Sequence, residues 1–159
     1  MNWPLLINWF AYLLAVTLFV GKIATFSFLI APIVHSLLEK EQAAKLLRVF
    51  FPRYYLMGVI CAAVGVGGSL IIGWSAPEPR VILWTILWAY ILVVEVFALK
   101  FLIPTLEATR EGRNQEEPKA TETWEWAHKL SVRLNVINLL IGLSLIGLYV
   151  RYLWQVLFK

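Results

Sequence analysis

The chain has 159 residues, of which 60% are hydrophobic and 15% charged, with a formal net charge of +4. Soluble domains are nearer half apolar and a quarter charged, and a core this small has no room for the excess. An ordinary soluble domain is therefore excluded, and a lipid bilayer is the expected surrounding. Nucleic acid is excluded as a partner, because no basic patch is interleaved with exposed aromatics.

Spanning a bilayer core of about 30 Å takes about 20 apolar residues per helix. Four segments meet this requirement, within 5–38, 50–74, 81–104 and 127–158. The expected fold is all-α: an antiparallel bundle of four transmembrane helices forming a single membrane domain over 1–159. The first and fourth segments exceed the bilayer requirement and should tilt or protrude.

In the first segment, no Lys or Arg precedes Lys22. The basic start of a secretory signal peptide is missing, so the segment is expected to stay in the mature protein. Pro32 predicts a kink. Thr17, Gly21, Ala24, Ala31 and His35, with Phe28 among them, share one face. Small residues at this spacing predict close packing against a neighbour.

Glu39 to Arg48, "EKEQAAKLLR", is charged and amphipathic and predicts a short interfacial helix. The second segment carries Gly58, Ala62, Gly65 and Ser69 on one face, again a packing pattern. Its lone cysteine, Cys61, excludes an internal disulfide and any CxxC site. Ser75 to Arg80, "SAPEPR", reads as a tight turn. The third segment contains Glu95 and Lys100. The long polar stretch 106–123 reads as partly disordered, or as a surface helix broken at Gly112 and Pro118.

The fourth segment holds the sharpest pattern. His128, Ser131, Asn135, Asn138 and Gly142 fall within an arc of about 80° at 100° per residue. Such a face either holds helices together by hydrogen bonds or binds a ligand. Arg133 points about 160° away from Asn135 and is expected to snorkel toward headgroups.

Glu95 is the costliest residue to place in a membrane and calls for a partner or a purpose. Counting from Pro104 and from Trp126 puts Glu95 and Asn135 both about 14 Å deep. Asn135 is thus the first candidate partner and Lys22 the second. The pair could act as a proton or cation site, or as an interhelical clamp. His35 and His128 near the helix ends are the only candidates for ligating haem b, and no third ligand supports them. Walker, dinucleotide, HExxH and nucleophile-elbow motifs are all missing from the chain, and no catalytic residue is assigned.

Two stretches resemble the transmembrane protein 205-like family. One is "APIVHSLLEKEQAAKLLRVFFPRYY" from Ala31 to Tyr55, with its Ala-Pro, Ala-rich amphipathic turn, Phe-Pro and paired tyrosines. The other is "HKLSVRLNVINLL" from His128 to Leu140, and Pro104 also stands where the family tends to have a proline. The chain departs from the family at Gly21-Lys22, where paired glycines are usual, and at His35, where an aromatic is usual. The resemblance implies a four-helix membrane protein without a settled biochemical activity. The association of animal relatives with platinum-drug resistance implies transport or trafficking and carries no residue-level role.

Three functions remain in view. The first is a non-enzymatic module that binds a membrane partner protein or a lipid, needing no cofactor. The second is a small transporter or ion-binding protein using Glu95, Lys22, His128, Ser131, Asn135 and Asn138, most simply as a homo-oligomer. The third is a redox protein holding haem between His35 and His128.

Lys40, Lys45, Arg48, Arg53, Arg110, Arg113, Lys119 and Lys129 lie in or beside the loops 39–48 and 106–123, whereas only Arg80, Arg151 and Lys159 flank the other side. The positive-inside rule then predicts cytoplasmic loops and both termini outside. A cysteine introduced as Asn114→Cys is accordingly expected to react with an impermeant thiol reagent only after the cells are permeabilised. Labelling in intact cells would reverse the orientation.

Overall fold

The computed structural model describes residues 3–75 and 79–157, and no strand occurs among them. The tip of the expected 75–80 turn, residues 76–78, and the last residues of the chain lie outside the described residues. Helix α1 spans Trp3–Thr25, α2 Ala31–Leu37, α3 Lys40–Ser75 and α4 Pro79–Phe97. They are followed by α5 at Ile103–Ala108, α6 at Arg110–Asn114 and α7 at Pro118–Leu157. Four continuous helical stretches are long and apolar enough to cross a membrane: Leu6–Leu37, Lys40–Trp74, Pro79–Ala108 and Pro118–Gln155. The protein is an all-α, multi-pass bundle.

Two of the spans are joined through π-helical turns, Phe26–Ile30 and Ala98–Leu102. Both have the same cause. Pro32 and Pro104 each stand two residues past the turn and supply no N–H to the carbonyl four residues back. The chain takes up one extra residue instead, so that Ala31 N–H reaches Phe26 O and Ile103 N–H reaches Ala98 O. Pro32 therefore acts through a wider turn rather than a simple break. Pro52 is accommodated inside α3.

The amphipathic segment 39–48 is not a separate interfacial helix, because it runs directly into α3. The polar stretch 106–123 is mostly helical. Gly112 lies inside α6, and Pro118 begins α7 rather than ending a helix, as suits a residue whose missing N–H needs no partner at the first helical position. The breaks are the turn at Thr109 and the 115–117 connection, with Glu116 at φ 60°.

The faces of the helices sort differently. On α3, Gly58, Ala62, Gly65 and Ser69 are all buried, as their spacing predicts. On the first span the predicted small face is not the interior one. Thr17, Phe28 and His35 are exposed, and Gly21 has open space above it. The buried stripe is Tyr12, Ala15, Val16, Phe19 and Ile23, also at helical spacing, and it carries Lys22 with it. Large aromatics won the interior because close approach on α1 is supplied by the glycines of α3.

The bundle has two unlike halves. Toward the termini the interior is aromatic: Tyr12 packs on Trp84, Trp88 and Tyr149, and Trp9 stacks on Tyr152 at 4.9 Å. Trp84 and Trp88 are thus core residues, while Trp3, Trp74 and Trp154 are exposed, as interfacial anchors should be. Toward the loops, Phe26, Phe50, Phe51 and Tyr54 form a second cluster. The outside is apolar on all four spans, for example at Phe10, Ile60, Ile86 and Leu140, which is the surface a bilayer solvates.

Association of helices in lipid rests on close packing rather than on the hydrophobic effect. A Cβ at Gly65 would fall on the indole of Trp88, whereas one at Gly67 would meet nothing. Gly65→Ala is therefore expected to destabilise the detergent-solubilised protein by about 1–3 kcal/mol through overpacking. Gly67→Ala should be neutral or stabilise by up to about 1 kcal/mol through helix propensity. Thermal melts of the two variants check the contrast.

A candidate ion site in the bundle interior

The third span is amphipathic in an unusual sense, since its buried stripe of Val81, Trp84, Trp88, Ile91 and Val94 continues into Glu95. Glu95 is 0% exposed, and the Lys22 side chain is 4% exposed. Lys22 Nζ donates to Glu95 Oε2 at 2.6 Å. Asn138 Nδ2 donates to Glu95 Oε1 at 3.1 Å. Three spans thus converge on one carboxylate, and the second span supplies the floor. A Cβ at Gly58 would overlap both Glu95 Oε2 and Lys22 Nζ, so only glycine lets the ion pair lie against the α3 backbone.

Lys22 has further company. Its ammonium lies 3.4 Å from the carbonyl oxygen of Tyr54. It also sits over the rings of Tyr54, Phe19 and Tyr55, at 4.2, 4.9 and 5.7 Å from their centroids. Aromatic faces attract a cation strongly when water is excluded. The site is therefore a charge pair held in a cage of three rings, one amide and one main-chain carbonyl.

Asn135 is not the partner of Glu95. It lies one turn nearer the loops, where its Oδ1 accepts from Tyr54 Oη at 2.9 Å. Its Nδ2 donates to Tyr55 Oη at 3.2 Å and to the Ser131 carbonyl at 3.1 Å. The depth count took Trp126 as the start of the span, but α7 begins at Pro118, and the residue level with Glu95 is Asn138, three positions beyond Asn135. Tyr54 belongs to both layers, with its ring on Lys22 and its hydroxyl on Asn135. Ser131 continues the series by donating to the His128 carbonyl at 2.8 Å.

His128 and His35 are both exposed, so any group shared between them would lie on the outside of the bundle. The His128 ring stacks on Trp124 at 5.0 Å, and the Arg113 guanidinium lies over the Trp124 ring, 4.0 Å from its centroid. Arg133 is exposed, off the polar face, as its angle requires. Among the described residues, no group of three His, Cys, Asp or Glu is placed to hold a metal ion.

Sequence reasoning missed Phe19, Tyr54, Tyr55 and Gly58 as members of the site. The paired tyrosines were visible at the entry to the second span, and Gly58 was visible as a packing glycine. Neither pattern says that a charge rests on it.

A family model described as a domain of unknown function, DUF4149, matches residues 14–115. The chain belongs to the DUF4149 family. The matched region contains Lys22, Tyr54, Tyr55, Gly58 and Glu95 and ends before α7, which contributes Asn135 and Asn138. Neither a curated protein nor a solved structure matches the chain.

Removing one member of a buried ion pair leaves the other uncompensated and costs about 3–5 kcal/mol, while replacing both by apolar groups is often neutral or better. Lys22→Met and Glu95→Leu are each expected to be strongly destabilised. The double variant should recover most of the loss in the same thermal assay. Additive losses in the double variant would show that the two charges do not depend on each other.

Proposed function

We propose that this is a small, multi-pass, ion-binding membrane protein. Glu95 is its binding carboxylate, Lys22 the internal counter-ion, Asn138 the residue that orients the carboxylate, and the Asn135–Tyr54–Tyr55–Ser131 layer the route toward His128 and the loops. The observation that carries this reading is a 2.6 Å ion pair buried in the bundle interior, with side chains 4% and 0% exposed. An ionisable pair in a span is expensive, and apolar side chains of similar size would hold the helices together at less cost. A pair retained against that cost points to a proton or cation that must enter and leave. Within this proposal the loops are cytoplasmic and both termini face outward, in line with the Lys/Arg asymmetry. The resemblance to the transmembrane protein 205-like family belongs to the same proposal.

One observation favours a second reading, a module that binds a membrane protein partner, a lipid or a second copy of itself. The face of Thr17, Gly21 and Phe28 on the first span is unoccupied within the bundle. Both readings are non-enzymatic. The haem reading with His35 and His128 draws support only from the shared position of the two residues at the loop end.

The test is Glu95→Gln, which keeps a hydrogen-bonding side chain of the same shape. Infrared difference spectra of the wild type across a pH series should show a carboxyl band that titrates and is lost in Glu95→Gln. Proteoliposomes should show a cation- or pH-gradient-driven flux with the same dependence. Wild type and variant behaving alike in both assays would reduce the pair to a clamp. Loss of co-purifying lipid or protein on Gly21→Leu would then favour the second reading.

A further inference from the structure

The cage around Lys22 has the chemistry of a receptor for an ammonium group. Its parts are a carboxylate at 2.6 Å, a main-chain carbonyl at 3.4 Å and three aromatic faces. A bare metal cation prefers a shell of oxygens. An ammonium group offers several N–H donors to a few acceptors and presents its remaining surface to rings. One acceptor at the site is unused. Asn138 gives its Nδ2 to Glu95, and the Oδ1 of the same amide has no hydrogen-bond partner although the residue is only 1% exposed. A buried carbonyl oxygen left unpaired costs free energy, and such groups in native proteins call for an explanation.

We infer that the interior of the bundle is a binding site for small primary ammonium ions, occupied in this structure by the tethered ammonium of Lys22. An incoming alkylammonium takes the place of Lys22 against Glu95, under the rings of Tyr54, Tyr55 and Phe19. Two cations cannot share one buried carboxylate. Charge balance is kept when the Lys22 N–H bond breaks, its electron pair stays on nitrogen and the proton passes to water. One organic cation in and one proton out leaves the site with the same net charge. This inference rests on the ion-binding reading above and names the ligand class of that same site.

Chemical rescue tests it. Lys22→Ala removes the tethered ammonium and leaves Glu95 and the cage. Thermal melts of the purified variant with ethylammonium or propylammonium chloride should show a saturable rise in midpoint. Sodium chloride and tetramethylammonium chloride at equal concentration should be at least about tenfold less effective, a difference of about 1.4 kcal/mol in binding. The response should vanish in Lys22→Ala/Glu95→Gln. In wild type, adding ethylammonium to weakly buffered protein should release up to one proton per chain, read by a pH dye, and Glu95→Gln should release none. A Lys22→Ala response no different from that to sodium, or a wild type that releases no proton, overturns the inference. If Lys22→Ala does not fold, proton release by the wild type decides alone. A Glu95 carboxyl band that titrates without either ammonium response would sink this inference and leave the ion-binding reading standing. Loss of the titration as well would remove both.

Discussion

A charge inside a bilayer must bring its own solvent, and the interior of this bundle is arranged around that requirement. Glu95 is reached by Lys22 from the first span and by Asn138 from the fourth. The second span gives up a side chain at Gly58 so that the pair can lie against its backbone. Around this point the remaining choices are constrained. Lys22 needs rings and a carbonyl, which fixes Phe19, Tyr54 and Tyr55, and the tyrosine hydroxyls in turn need Asn135. A low dielectric strengthens each of these contacts and makes each omission more costly.

A polar layer extends from the ion pair toward the loops. Loopward of it come Asn135, Ser131 and the exposed His128. Toward the termini lie Phe19, Ile91 and Leu145, all fully buried, and then the Tyr12–Trp84–Trp88 cluster. The pair thus meets hydrogen-bonding side chains on its loop side and chiefly aromatic and aliphatic groups on the other. The loop side also gathers basic residues, among them Lys45, Arg48, Arg110 and Arg113.

Much of the fold could be read from the sequence because length and hydropathy decide it: each span is apolar, and bilayer thickness does the rest. The burial of Glu95 was equally legible, since an ionised carboxylate in lipid is too costly to leave without a partner. What misled was the assumption that small residues mark the interior of every helix. That holds on α3, where Gly58 and Gly65 face the core. It fails on α1, where Gly21 faces outward while Phe19 and Lys22 face in. The choice of Asn135 over Asn138 failed for a related reason. Depth was counted from Trp126 as the membrane edge, but α7 begins eight residues earlier, at Pro118, so Trp126 does not mark a helix end from which depth can be counted. Neighbours in space, such as Tyr54 beneath Lys22, follow from the packing of two helices and leave no trace in either one's periodicity.

The two π-helical turns add a constraint of a different kind. Lys22 stands four residues before Phe26, and Glu95 three residues before Ala98, so each charged group is followed at once by a turn that holds one surplus residue. An α-helix advances its side chains by about 100° per residue, so absorbing or releasing that surplus swings everything upstream by roughly a quarter turn relative to the proline-started segment beyond. The direction of each charge is thus set by the count of residues between it and its proline. Among natural relatives, loss or gain of a single residue in 26–30 or 98–102 would turn the charge out of the bundle, even if every other residue stayed the same. Chain length at these two places is as much a part of the ion pair as the lysine and the glutamate.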